Sequence, residues 1–152
     1  MEGLSLHLRH VMCKVMTSIP KAFWDATGGL WAAGKLAGKY VGLFVSSGTQ
    51  GGGQESTALA MMSTFAHHGL VYVPLGYSRT FSYFADDSKA HGGMQFTSPL
   101  VPSLCSIDLI GSPWGAGTFA GADGSRKPLD SELEVATIQG EYFYNIVKKV
   151  HF

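Results

Sequence analysis

Residues 39–74, KYVGLFVSSGTQGGGQESTALAMMSTFAHHGLVYVP, limit what this chain can fold into more than any other stretch. An apolar run over 40–45 enters a glycine- and serine-rich loop at 46–53, and a helical pattern covers 54–68. Gly69 then leads into a second apolar run at 70–74. That order is a β-loop-α-β unit, in which the helix carries the chain back so that the two strands run parallel. Both runs are apolar on successive residues rather than alternating, the pattern of a strand covered on both faces by helices. The fold class is therefore α/β. Ligands of such sheets bind at the carboxyl ends of the strands, here Ser46-Ser47-Gly48-Thr49-Gln50-Gly51-Gly52-Gly53.

The chemistry of that loop can be read directly. Its glycines let a ligand approach the backbone and allow positive φ, while Ser46, Ser47 and Thr49 place hydroxyls beside the next helix's N-terminus. This suits a phosphorylated or flat polar cofactor. A P-loop is excluded because Gln54 follows Gly53 where that motif needs lysine, and Gln50 breaks the G-x-G-x-x-G spacing. The same composition also makes ordinary surface turns. The loop's place after a buried strand favours a mononucleotide site.

Composition excludes several partners. The chain has 152 residues, 45% of them hydrophobic, enough for one globular domain. Eleven basic and eleven acidic residues balance without a lysine-arginine cluster, so no nucleic acid or anionic membrane is expected as partner. Cys13 and Cys105 form no metal or disulfide pattern, and no apolar run reaches membrane-span length. A soluble, cytoplasmic protein is expected.

Outside the central unit, residues 1–19 are basic-leaning, with Leu4, Leu8, Val11, Met12, Val15 and Met16 spaced for one helix face. The segment reads as an ordinary amphipathic end rather than a targeting peptide. Pro20 suits the first turn of a helix reaching about Thr27, where Gly28 and Gly29 stop it and leave Leu30 and Trp31 in a loop. His67 and His68 precede Gly69 at a helix C-terminus, where histidine is favoured as a cap, and Trp31 alone reads as core. Residues 75–91 form a polar, aromatic loop (Tyr77, Phe81, Tyr83, Phe84), of the kind that lies over a site or at a subunit contact. Within it Asp86 and Asp87 are a solvated pair, so no metal is expected. A last helix begins at Ser131 with a Ser131-x-x-Glu134 capping box. It presents Leu133, Ala136, Gly140, Phe143 and Val147 on one face.

Lys21-Ala22-Phe23-Trp24-Asp25-Ala26-Thr27-Gly28-Gly29-Leu30-Trp31 carries a resemblance. With residues 46–54, His67-His68-Gly69, Val73-Pro74-Leu75-Gly76-Tyr77 and Ser112-Pro113-Trp114-Gly115-Ala116-Gly117, it resembles the WrbA family of flavodoxin-like NAD(P)H:quinone oxidoreductases, with wording nearest fungal members. The resemblance covers 21–93 and 112 to about 149. It implies an FMN enzyme that takes hydride from NAD(P)H and reduces quinones by two electrons, usually as a homotetramer. By motif, Ser46, Ser47, Gly48, Thr49, Gln50 and Gly51 would line FMN and His67 would contact it. Trp31 would cover the ring where nicotinamide and quinone bind in turn, which makes Trp31 and His67 the expected catalytic residues. The alternative is a non-catalytic flavin-binding or subunit-interaction fragment.

Two departures qualify the resemblance. The family's first strand with its phosphate loop, and the next two strands, have no counterpart before Lys21, so residues 1–20 read as a non-family segment. Residues 21–152 then form a partial flavodoxin-like domain holding strands 4 and 5 of the doubly wound order 2-1-3-4-5, with an open edge on strand 4. The second departure is at 94–111, MQFTSPLVPSLCSIDLIG, which interrupts the family's Gly-Gly-Ser-Pro-Trp-Gly. An in-frame retained intron and a genuine lineage-specific loop both account for it.

Overall fold

A computed structural model of the chain describes residues 10–15, 19–49, 52–84 and 112–150. The element order is β1 (His10–Val15), α1 (Ile19–Asp25), α2 (Gly28–Ala32), β2 (Tyr40–Ser47), α3 (Gln54–His68), β3 (Val71–Tyr72), α4 (Phe81–Phe84), β4 (Gly117–Phe119) and α5 (Asp130–Val147). Asp86, Asp87 and the 94–111 insertion lie outside the described residues.

The expected β-loop-α-β unit is present as β2, α3 and β3. All described strand pairs are parallel, with β2 bonded to β1 on one side and to β3 and β4 on the other. Val41, Leu43 and Val45 point to one face, where they meet Ala58, Met61 and Phe65 of α3 together with Trp24 and Leu36. Val41 and Leu43 are fully buried, each contributing about 1.5–3 kcal/mol by leaving water. Opposite, Tyr40 packs with Val73, Phe143 and Val147, so α5 covers this face near the strand's start. Helices on both faces explain the uninterrupted apolar run. Gly69 closes α3 in a left-handed turn (φ 68°), with Leu70 N–H bonding Phe65 O at 2.9 Å and Gly69 N–H bonding Ala66 O at 3.0 Å.

Four sequence expectations need correction. Residues 10–15 are a strand in register with 40–45, not part of a helix, because the spacing of four apolar residues over so short a window fits either period and an unpaired edge of β2 favours extended pairing. The edge expected to be open is therefore occupied. Gly28 and Gly29 do not leave a loop: α1 ends at Asp25 and the glycines begin the short helix α2, which includes Leu30 and Trp31. The capping carboxylate of α5 is Glu132, which accepts Leu129 N–H at 2.9 Å, rather than Glu134. Its buried stripe is correspondingly Glu132, Val135, Gln139, Phe143 and Val147, leaving Leu133 53% exposed. Trp31, read on its own as core, is 55% exposed.

β3 and β4 share one edge of β2. β3 pairs with Tyr40 and Val41, and β4 pairs with Val45, Ser46 and Ser47. Between them the Leu43 carbonyl has no strand partner and receives Gln139 Nε2 at 2.7 Å, while Ala116 N–H donates to Gln139 Oε1 at 2.7 Å. One side-chain amide thus fills the break in the ladder. Among the described residues no helix is long and apolar enough to cross a membrane.

Candidate functional site

A cavity of about 740 Å³ opens where β2 ends, between the glycine-rich loop, β4 and the first half of α5. Ser46, Ser47 and Gly48 line it. A Cβ built on Gly48 would meet nothing among the described residues within 4 Å, so the backbone there stands open. Thr49 lies next to it and is exposed, whereas Gln50 and Gly51 fall outside the described residues.

The loop is held by a short relay. Gln54, the first residue of α3 and 4% exposed, donates Nε2 to Ser47 Oγ at 2.7 Å and to Thr118 O at 2.8 Å. Ser47 in turn donates its hydroxyl to Thr49 O at 2.7 Å. The proton of Ser47 is therefore committed to the loop, leaving that side chain only a lone pair for a ligand. Among the described residues the buried Gln54 Oε1 atom has no partner, and its burial is costly while it stays unmatched. An open glycine backbone and the half-buried Ser46 leave room for one side of a flat cofactor.

The cavity's other wall is ionic but closed on itself. Arg126 Nη2 meets Glu132 Oε1 at 3.0 Å, and its guanidinium lies 3.9 Å from the centre of the Phe119 ring. Glu132 Oε2 also accepts Thr118 Oγ1 at 2.9 Å. A carboxylate so fully engaged is a structural anchor rather than a general base. Behind the loop, Trp114 Nε1 donates to Glu55 Oε1 at 3.0 Å and Tyr72 OH donates to Trp114 O, which ties the Ser-Pro-Trp-Gly turn to α3 and β3. Burial raises the Tyr72 pKa. Tyr77 is raised first by burial and then by the neighbouring Glu55 charge.

Trp31 and His67 lie together elsewhere. The Trp31 indole N–H donates to His67 O at 2.8 Å, and the His67 ring contacts Ser63 O through Nδ1 at 2.7 Å. Both side chains are exposed at the C-terminal end of α3, whereas the loop is at its N-terminal end. The 15 residues of α3 separate the two groups by about 20 Å. The adjacent His68 is buried and bonds Thr27. Sequence reading missed Gln54, Thr118, Arg126, Glu132 and Gln139 as site-building residues. The available signal was Glu132 and Gln139, two polar residues seven apart on the same stripe as Val135 and Phe143.

The fold thus defines an α/β protein with a cavity at the carboxyl end of a parallel sheet, where ligands of such sheets bind. No protein-family model matches the chain. It is 52% identical to "Minor allergen Cla h 7" of Davidiella tassiana over 87% of this chain and 55% of that protein. It is 51% identical to "NAD(P)H quinone oxidoreductase PST3" of Candida albicans over 85% of this chain and 56% of that protein. Against "Quinone-oxidoreductase QR2" of Triphysaria versicolor the identity is 50%, over 86% and 54%. The chain is therefore a homologue of part of each of these proteins. It spans about half the length of the curated relatives it matches.

Proposed function

We propose that this chain forms part of a cytoplasmic, FMN-dependent NAD(P)H:quinone oxidoreductase, with β2 as strand 4 and β3 with β4 as strand 5 of the order 2-1-3-4-5. The supporting observation is the cavity at the end of β2, with Gly48 open beside it, in a chain about half identical to relatives named for quinone reduction. Bound FMN supplies the hydride chemistry, and the protein supplies binding and orientation. Residues 46–51 bind one side of the cofactor, Gln54 holds the loop in place, and the exposed indole of Trp31 excludes water above a ring, with His67 beside it.

Because the loop and the Trp31–His67 pair sit at opposite ends of α3, one ring reached by both needs two copies of the chain. The reading therefore includes a homo-oligomer, with Trp31 and His67 of one copy facing residues 46–51 of another.

Flavin absorbance of the purified chain after addition of FMN, followed by NADH- and NADPH-dependent quinone reduction, tests this. Trp31→Ala is expected to lower turnover about tenfold or more while FMN content stays near wild type. Gly48→Leu is expected to weaken FMN binding. A protein that holds FMN yet reduces no quinone with either donor rejects the enzyme and leaves a flavin-binding module. Absence of any bound flavin, also after fusion of a relative's amino-terminal half ahead of Lys21, rejects both.

A further inference from the structure

We propose that the buried Thr27–His68 hydrogen bond positions Trp31, making Thr27 and His68 positioning residues for the exposed Trp31–His67 pair. The inference rests on the reading of Trp31 as the ring-covering residue. Thr27 is 7% and His68 9% exposed, and Thr27 Oγ1 lies 3.1 Å from His68 Nε2. α2 hangs from Thr27, whose carbonyl accepts Leu30 N–H at 2.9 Å and Trp31 N–H at 3.0 Å. His68 directly follows His67, the residue that takes the Trp31 indole proton. Two rungs therefore link the same two segments, one buried and one exposed.

The rungs are not equivalent. At the exposed rung water competes for both partners, so that bond holds the indole weakly. At the buried rung there is no such competitor. Thr27 Oγ1 donates to Trp24 O at 2.6 Å, so it can only accept from His68, which places the ring proton on Nε2. The Trp24 ring, 5.3 Å from the His68 ring between centroids, covers it. His68 Nδ1 and Trp24 Nε1 have no partner among the described residues. Among the described residues Thr27 is thus the one hydrogen-bond partner of the His68 ring, and the geometry of α2 depends on keeping it.

The test uses the full chain with Thr27→Val, which keeps shape but loses the hydroxyl, and Thr27→Ser, which keeps the hydroxyl. Solvent exchange of the Trp31 indole N–H is followed by 1H–15N spectra and assigned by its loss in Trp31→Phe. Thr27→Val is expected to speed that exchange about twofold or more and Thr27→Ser to leave it near wild type. The Trp114 indole N–H, bonded to Glu55, should be unchanged in both. Long-range 15N spectra should show His68 as the Nε2–H tautomer. Unchanged Trp31 exchange in Thr27→Val, equal acceleration of Trp31 and Trp114, or an Nδ1–H tautomer would each overturn the proposal. In turnover, Thr27→Val should raise the quinone KM more than it lowers kcat at constant flavin content. A wild-type chain without turnover sinks the enzyme reading instead, and the exchange result still decides this one.

Discussion

Gln139 and Leu43, 96 positions apart in sequence, are joined by a 2.7 Å hydrogen bond from the glutamine Nε2 to the backbone carbonyl. The same amide accepts Ala116 N–H, so a helix side chain stands in for the strand residue missing between β3 and β4. Gln139→Leu is expected to leave a buried carbonyl and a buried N–H unmatched, costing about 2–6 kcal/mol at about 1–3 per group. Urea denaturation measures it, and a loss under about 1 kcal/mol would mean the ladder closes some other way.

Gly115 passes directly against the same carbonyl. A Cβ there would stand 1.8 Å from Leu43 O, inside contact distance of fixed backbone, whereas one on Gly48 meets open space. Gly115→Ala should therefore destabilise the fold by about 3 kcal/mol or more, since backbone must move. Gly48→Ala should change stability by less than about 1 kcal/mol. Thermal unfolding of the two variants side by side distinguishes them, and equal shifts would contradict the close approach.

Glu132 neutralises Arg126 while its carboxylate also serves Thr118 and Leu129. Its side chain is 2% exposed and that of Arg126 20%. Glu132→Gln removes the charge beside the guanidinium and should cost about 3–4 kcal/mol, the lower part of the range for a broken buried pair because Arg126 keeps some water. The double variant with Arg126→Met should recover part of the loss. A double variant no more stable than Glu132→Gln alone would show that the two residues act independently.

The phenol of Tyr72 is held protonated by burial, with a pKa raised from 10.0. In the unfolded chain the phenol ionises at its ordinary value, so above that point the unfolded state binds fewer protons than the folded one. Its contribution is complete below about pH 10 and is lost progressively as pH rises towards the folded value. Tyr72→Phe should flatten the alkaline decline in unfolding midpoint. A curve as steep as wild type would place the effect elsewhere.

Local pattern was enough for β2, α3 and β3. A continuous apolar run, a glycine loop and Gly69 at the helix end each act through residues adjacent in sequence, where spacing and backbone preference decide. The place of Ser46, Ser47 and Gly48 at the mouth of a cavity followed from strand direction alone. The motifs likewise carried the kinship that the relatives show.

Tertiary contacts decided the rest. Residues 10–15 are apolar enough for helix or strand, and only the hydrogen-bonding edge of β2 selects the strand. The first half of the α5 stripe was misread by one position, Phe143 and Val147 being placed correctly, because Glu132 and Gln139 look like surface residues until Arg126, Leu43 and Ala116 come to meet them. Trp31 and His67 could be joined to the loop by motif, but the length of α3 holds them at its far end. A sequence records which side chains can bond or bury. Which partner each one meets depends on segments tens of residues away, and the free energy of a buried polar group changes sign with that partner.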